Sequence, residues 1–229
     1  YKQFQYKIAA YEKTEGNFIN DYYFDQPVDV AVNQDNGNLF VVDSENNKIV
    51  YITNDGTFIS EYGSKGSGET QFYSPTSICM GNKNGFGQRI FVTDFNNDRI
   101  KSFFLASDGR FQTPENIGVV ASDAGNTVAA DFTGPTDIAY DKDNDVLYVA
   151  ETYNNRIQKI TLTSTGFLAA TPVIQKSDGT DPSNVQLVTS LAVTKDYIYV
   201  LDKLGADVAI KLFRNNTDYT SDSQHNLTQ

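Results

Sequence analysis

The single histidine and the single cysteine of this 229-residue chain limit the nucleophilic chemistry that it could perform. Serine and cysteine nucleophiles need an imidazole beside them, and His225 lies in a polar C-terminal segment away from any expected strand. Cys79 lies in the run Ser-Ile-Cys-Met at 77–80, where a thiol normally packs as a small buried hydrophobic group. Zinc sites use several histidines or cysteines together. We therefore expect no catalytic residues, no bound metal and no cofactor.

Residues 141–145 (Asp-Lys-Asp-Asn-Asp) begin like a calcium-binding loop, because they place acidic groups at alternate positions. A calcium loop then needs a glycine where Val146 stands and a bidentate glutamate where Thr152 stands. The corresponding residues 33–37 (Asn-Gln-Asp-Asn-Gly) are typical of an ordinary turn. We therefore interpret 141–145 as a solvated hairpin rather than a metal site.

A pairing of acidic and basic residues recurs along the chain. The acidic residues follow one another at intervals of 51, 57 and 51 residues and are Asp43, Asp94, Glu151 and Asp202. A basic residue comes five positions after the first three of them, at Lys48, Arg99 and Arg156. The set could be viewed as a ring of carboxylates, but groups duplicated in every repeat are more typical of a framework. We expect each acid to pair with the following base and to fix the asparagine-rich turn between them.

Short strands are the elements that must position these residues. Each of four units has an apolar run after a turn residue, a second apolar strand, and a third strand with period-two alternation. The predicted strands are 28–32, 39–42 and 48–53; 78–80, 90–93 and 99–104; 138–140, 146–150 and 156–162; 191–193, 197–201 and 207–213. Asn-Gly and Asp-Gly pairs between them suit tight hairpins. No stretch sustains a 3.6-residue apolar period, so the sequence predicts an all-β chain.

The units share specific motifs as well as strands. They begin at Pro27, Pro75, Pro135 and, more divergently, Val188, and follow P-x-x-[IV]-A, then [IL]-[FY]-V-x-[DE]-x-x-N-x-[RK]-[IV], then D-G-x-F. A further element, G-x-x-G-x-x-x-x-Q-F-x-x-P, runs from Gly63 to Pro75. Together these motifs, over about residues 4–213, resemble the NHL-repeat family of β-propellers. The resemblance implies a β-propeller built of four-stranded antiparallel blades. The fourth unit departs from it, because Asp207 stands where the basic residue should be.

The number of blades is the main open question about this expected architecture. Residues 1–23 are similar to the third and fourth strands of the next unit, which gives about four and a half blades, whereas the family resemblance suggests six. The ring could close by N-terminal strands completing the last blade, by residues outside this sequence, or by a neighbouring chain at an open edge. The chain lacks an initiator methionine, and we expect a segment of a longer chain or a polymer subunit.

The C-terminal residues differ in composition from the rest. We expect residues 1–214 to form the propeller and residues 215–229 (NNTDYTSDSQHNLTQ) to form a polar tail or linker. Asn215 and Asn226 begin acceptor patterns for N-glycosylation. No run of 18 apolar residues is present, which predicts no membrane span. We expect a glycoprotein that is extracellular or displayed at the cell surface.

Charge and composition favour an interaction role over an enzymatic one. The formal net charge of −11 opposes nucleic-acid binding, including the RNA-binding role of some NHL domains. Our first hypothesis is a non-catalytic structural or interaction scaffold whose partner is a protein, a glycan or another copy of the chain. The alternative is a propeller hydrolase or lyase that uses channel carboxylates and a divalent cation.

Surplus aromatic residues precede the first strands of the units. They are Tyr22, Tyr23, Phe24, Tyr62, Phe72 and Tyr73. Interfaces are rich in tyrosine, so these side chains could form a binding face, or they could line contacts between blades. The sequence does not decide between the two.

Overall fold

A computed structural model describes most of the chain between Tyr22 and Asn215. The described residues are 22–84, 87–106, 108–112, 114–117, 132–163, 166–167, 170–175, 185–204, 207–215 and 227–228. Residues 1–21, which are expected to supply two strands of a blade, lie outside this part of the chain.

Strands make up nearly all of the regular structure, as the sequence predicts. The first sheet contains β1 (Pro27–Val32), β2 (Leu39–Asp43), β3 (Lys48–Ile52) and β4 (Phe58–Tyr62), and the second contains β5 (Pro75–Asn84), β6 (Gly87–Asp94), β7 (Arg99–Phe104) and β8 (Glu115–Ile117). The third contains β9 (Pro135–Asp141), β10 (Val146–Glu151), β11 (Arg156–Thr163), β12 (Gly166–Phe167) and β13 (Thr171–Gln175), and the fourth contains β14 (Val188–Val193), β15 (Tyr197–Leu204), β16 (Asp207–Arg214) and β17 (Leu227–Thr228). A short 3-10 turn, Phe95–Asn97, joins β6 to β7.

Each sheet is an antiparallel meander in which consecutive strands pair. The first strand of each sheet contacts the first strand of the next, in the order β1, β5, β9, β14. The four sheets therefore stand side by side with their first strands innermost, which is a propeller-type arrangement of blades. No sheet closure is detected among the described strands.

The fourth sheet reaches into the segment expected to be a polar tail. Leu227–Thr228 form β17, and Ala209 of β16 lies opposite Thr228. This pair of residues therefore belongs to the fourth sheet, which has four strands among the described residues.

The apolar cores lie between adjacent sheets. One cluster joins Phe40 and Ile49 of the first sheet to Ile90 and Phe103 of the second. Two further clusters fill the second and third junctions in the same way. Because successive strand residues point to opposite faces, the second and third sheets each give one set of apolar side chains to the sheet before and one to the sheet after. The other face of the first sheet, with Val41, Val50 and Ile52, packs with Tyr22 and Phe24.

Candidate functional site

The four recurring carboxylates are completely buried. Each accepts a hydrogen bond from the backbone N–H of the loop that enters its own sheet, at 2.7–2.8 Å, from Asp25 to Asp43, Tyr73 to Asp94, Thr133 to Glu151 and Gln186 to Asp202. Three of them also accept from a turn asparagine, namely Asn46, Asn97 and Asn154. Three of the carboxylates therefore fasten the loop before the first strand to the turn after the second, and Asp202 holds the loop before its first strand through the backbone N–H groups of Gln186 and Leu187. This is a structural task repeated in every sheet.

The acid–base pairs form in two of the three predicted sheets. Arg99 Nε lies 2.8 Å from Asp94 Oδ2, and Arg156 Nε lies 2.7 Å from Glu151 Oε1. The predicted pair of Asp43 with Lys48 is replaced by another contact, because Lys48 Nζ lies 2.6 Å from Glu61 of the neighbouring strand β4.

Other hydrogen-bond donors satisfy the buried Asp43 carboxylate in place of the Lys48 ammonium. The Tyr22 hydroxyl donates to Asp43 Oδ2 at 2.7 Å, beside the Asp25 N–H and Asn46 bonds. Burial and the neighbouring Asp43 carboxylate raise the pKa of Tyr22 well above its ordinary value, so the phenol stays a donor.

In the fourth sheet a lysine that the repeat pattern misses replaces the absent base. Lys211 Nζ lies 2.8 Å from Asp202 Oδ2, and both side chains are buried. Lys211 stands two residues beyond Ala209, the strand partner of Asp202, and therefore on the same sheet face. Gln158 occupies the equivalent position in the third sheet and donates to Glu151 at 2.6 Å. The sequence gives no fixed spacing that would have found Lys211, because it lies nine residues after Asp202, whereas Gln158 lies seven residues after Glu151.

In the second sheet the equivalent position is Lys101, which is completely buried. Its ammonium donates to the backbone carbonyl oxygens of Gly68 and Glu69 and lies 5.5 Å from the Phe72 ring centroid. Burial, with the nearby Arg99 guanidinium, lowers the pKa of Lys101 to about 7. Lys101 therefore stabilises the loop between β4 and β5 that carries the G-x-x-G motif, and its ammonium does not point to an exposed ligand site.

Asn215 is a bridge between sheets rather than a free acceptor for a glycan. Its Nδ2 donates to Asp141 Oδ2 at 2.7 Å and to the Thr194 carbonyl at 2.9 Å, while its Oδ1 accepts from the Tyr148 hydroxyl. A glycan on Nδ2 would have to replace these hydrogen bonds. Asn226, the second predicted acceptor, lies outside the described residues.

The expected hairpin at 141–145 uses its acidic groups to hold its own turn. Asp141 accepts from the backbone N–H of Asp143 and Asn144 and from the Asn144 side chain. Burial opposes ionisation of Asp141, but these bonds and the one from Asn215 outweigh it and lower the pKa of this carboxyl. Among the residues that the structure describes, no group of three or more His, Cys, Asp or Glu side chains could hold a metal ion.

A belt of hydrogen bonds connects the innermost strands at their N-terminal ends. The third residue of each inner strand alternates between aspartate and serine in the order Asp29, Ser77, Asp137, Ser190. Ser77 Oγ lies 2.7 Å from both Asp29 Oδ2 and Asp137 Oδ1. Asp137 Oδ2 then accepts from Ser190 Oγ at 2.5 Å and from the Leu191 N–H at 2.7 Å. The belt therefore runs through all four sheets.

A cavity of about 700 Å³ lies at the opposite ends of the inner strands. All four sheets and their turns line it, through Ala31, Val32, Gln34, Asp35, Met80, Gly81, Gln88, Tyr140, Asp141, Lys142, Asp143, Val193, Thr194 and Lys195. Carboxylates and ammonium groups thus stand around one opening together with amides and apolar side chains. This lining contains no histidine, cysteine or serine, so it offers hydrogen bonds and charges rather than a nucleophile with a base.

The remaining candidates for chemistry or binding are packing residues for the most part. Cys79 packs against the core between the second and third sheets, and burial, with the Asp137 and Asp29 carboxylates, raises its pKa well above the ordinary value. A thiol held protonated is a weak nucleophile. Tyr62 and Phe72 pack in an aromatic cluster with Phe103. Tyr23 and Tyr73 are instead 62% and 42% exposed, and a binding face at these two side chains stays a prediction.

Known proteins share both the repeat and the fold. The NHL repeat model matches residues 24–50 and 132–160. The human NHL repeat-containing protein 3 is 25% identical over 163 residues, which is 70% of this chain and 42% of that protein. The chain thus spans less than half the length of this curated relative.

Solved structures show the same fold at low sequence identity. Hydrazine synthase from Kuenenia stuttgartiensis is 12% identical, with a TM-score of 0.62 over 93% of this chain and 53% of its own. Virginiamycin B lyase from Staphylococcus aureus, as a catalytically inactive histidine variant, is 21% identical, with a TM-score of 0.53 over 86% and 54%. An auxiliary nutrient binding protein from Bacteroides ovatus is 15% identical, with a TM-score of 0.61 over 91% and 48%. The chain therefore contains two segments that match the NHL repeat, and its fold is similar to those of propeller-type proteins.

Proposed function

We propose that this chain is a non-catalytic interaction propeller that binds a polar partner segment, of protein or glycan, at the cavity lined by all four sheets. The observation that carries the proposal is the lining itself, in which exposed Asp35 and Asp143 stand beside Lys142 and Lys195. Mixed charge around a concave opening suits a polar ligand that presents donors and acceptors. Loops on a rigid scaffold are the usual place for such recognition.

The similarity to solved structures supports the propeller-type fold but does not distinguish a binding protein from an enzyme. The proteins with this fold include lyases and a nutrient binding protein, so the function has to be argued from the site. The acidic composition and the acceptor pattern at Asn226 support a place outside the cell or at its surface. No helix among the described residues is long and apolar enough to cross a membrane.

Charge reversal at the cavity tests the binding role. Peptide and glycan libraries are first screened against the intact chain. The hits are then measured by calorimetry on the double variant Asp35→Lys, Asp143→Lys and on the control Glu45→Lys. Glu45 is an exposed acid in the β2–β3 turn, at the belt end of the inner strands. We expect the cavity variant to lose binding and the control to keep it. Equal binding to all three chains contradicts the proposal.

The alternative enzyme would use the exposed carboxylates of Asp35 and Asp143 at the cavity, which do not form a group of three or more potential ligands among the described residues. A divalent cation held there would stabilise the native state by mass action. Thermal unfolding with and without Ca²⁺, Mg²⁺ or Mn²⁺ separates the two functions. A midpoint that rises with one of these ions in the wild type but not in Asp143→Asn would support the metal-dependent enzyme.

A further inference from the structure

Two aromatic side chains at the belt end of the inner strands depart from the repeat. Phe95 directly follows the buried acid of the second sheet, and Tyr153 comes two residues after the buried acid of the third. The same two positions hold Ser44 and Glu45 in the first sheet. Because the acids and the turn asparagines recur without these rings, the turns do not need an aromatic residue to fold.

The two rings meet across the junction between the second and third sheets. Their centroids lie 5.4 Å apart, with an angle of 52° between the ring planes. Both rings lie against Gly134, where a Cβ would come within 2.5 Å of Tyr153 Cδ2 and 3.1 Å of Phe95 Cε2. The φ of +58° at this residue also favours glycine. We call Phe95 and Tyr153 the aromatic pair.

The aromatic pair combines an exposed ring with a negative charge. Tyr153 is 65% exposed, the largest fraction among the large hydrophobic side chains that the structure describes. The exposed Asp98 lies beside the pair, because its Oδ1 accepts the N–H of the same Gly134 at 2.7 Å. Asp98 is the one charged residue in the turns 95–98 and 152–155 and the loop 132–134. The surface therefore offers an aromatic face and a carboxylate with no cation of its own.

A neighbouring tyrosine shows which group such a face binds. Tyr73 is 42% exposed, and its carbonyl accepts the N–H of Asn96, in the turn that carries Phe95. The Lys65 ammonium lies 5.1 Å from the Tyr73 ring centroid, so a cation of the chain itself covers this face. Among the described residues no cation lies over Tyr153. A cation on that ring would therefore come from a partner.

We propose that the aromatic pair and Asp98 bind an arginine side chain from a basic segment of a partner protein. A guanidinium group is planar, stacks on aromatic faces and donates two parallel hydrogen bonds to a carboxylate, which fits both parts of this surface. The net charge of −11 attracts a basic segment towards the chain. The surface lies at the other end of the inner strands from the cavity, so this proposal is independent of the cavity function.

An array of arginine-containing peptides provides the probe. Peptides that carry arginines among neutral residues are screened against the intact chain, and the strongest binder is measured by fluorescence anisotropy. Tyr153→Leu removes the aromatic face, and Asp98→Asn removes the charge but keeps an oxygen for the Gly134 N–H. We expect each variant to bind the peptide about two- to fivefold more weakly than the wild type. Added salt should also weaken wild-type binding.

Two matched variants and one peptide are the controls. Tyr153→Phe keeps an aromatic face, and Tyr73→Leu removes a ring that Lys65 already covers, so both should bind like the wild type. Replacing arginine in the peptide by citrulline, its uncharged analogue, should abolish binding. Circular dichroism verifies that each variant folds.

Three results would overturn the proposal. The first is an array in which no arginine peptide binds the wild type. The second is equal binding of the peptide by the wild type and Tyr153→Leu. The third is a citrulline peptide that binds as tightly as the arginine peptide, which would instead indicate an uncharged ligand such as a glycan.

Discussion

At the scale of single residues, the buried charged side chains of this molecule hold its loops in place. Asp94 and Arg99 form a buried pair, and the Arg99 guanidinium also donates to the carbonyl oxygens of Ser67, Gly68 and Gln71. A buried ion pair costs desolvation free energy unless such additional hydrogen bonds satisfy it. In the second sheet the Asp94–Arg99 pair and these hydrogen bonds hold the loop at 63–75 in place. This is the framework role expected for the repeated acids.

Lys101 provides a prediction about pH at the same scale. Its pKa falls from 10.5 to about 7 on folding, so between these values the unfolded chain binds more protons than the native chain. The free energy of unfolding should therefore contain a part that rises with pH, by at most about 1.4 kcal/mol per pH unit. Urea unfolding from pH 6 to pH 10 should show this rise in the wild type and not in Lys101→Met.

The exposed Lys142→Met variant is the control for Lys101. It removes a lysine from the surface and should keep the pH dependence of the wild type. If Lys101→Met retained the same rise, the native environment of Lys101 would not be the cause.

At the scale of elements, the loop between β4 and β5 shows why the glycine motif is needed. Two backbone hydrogen bonds cross this loop: the Gly66 N–H donates to the Phe72 carbonyl at 2.9 Å, and the Phe72 N–H donates to the Ser64 carbonyl at 2.9 Å. Gly63, at φ +112°, has no room for a side chain: a Cβ there would lie 2.6 Å from Phe72 Cδ2 and 2.7 Å from the Asn47 carbonyl oxygen. The motif therefore specifies a folded loop that packs against the first sheet.

Replacing Gly63 by alanine should destabilise the fold more than replacing Gly56. Both glycines have positive φ, and Gly56 has open space around the position of a Cβ. Positive φ alone costs an alanine about 1–2 kcal/mol, so Gly56→Ala measures that penalty and Gly63→Ala adds the clash. Chemical denaturation of both variants compares them directly. Equal losses of stability would show that the loop moves aside without cost.

At the scale of the whole molecule, the belt couples sheets that are distant in sequence. Asp137 accepts hydrogen bonds from Ser77 in the second sheet and from Ser190 and Leu191 in the fourth. Asp137 therefore holds the third sheet between its two neighbours, at the edge where the inner strands meet. Apolar packing fixes the spacing of the sheets, and this carboxylate fixes their register along the inner edge.

Changing Asp137 to asparagine should weaken both junctions of the third sheet. The amide nitrogen cannot accept, so the hydrogen bonds to one carboxylate oxygen are lost, at about 1.5–3 kcal/mol for each bond to a charged group. We expect a lower free energy of unfolding, read by urea denaturation. Asp143→Asn, at an exposed carboxylate of the cavity, should change it little. If the belt contributed nothing to stability, the two variants would have the same free energy of unfolding.

The sequence by itself determined the strands, their grouping into repeated units and the resemblance to NHL repeats, because period-two alternation and turn residues are local signals. It also identified the buried acids, since they recur with the repeat. It misplaced the partner of Asp43 and missed Lys211, because those contacts depend on which side chains share a face once the strands are paired. Only the tertiary structure decided the belt and the cavity. Both form where sheets from distant parts of the chain come into contact, and no local sequence pattern indicates which sheets those are.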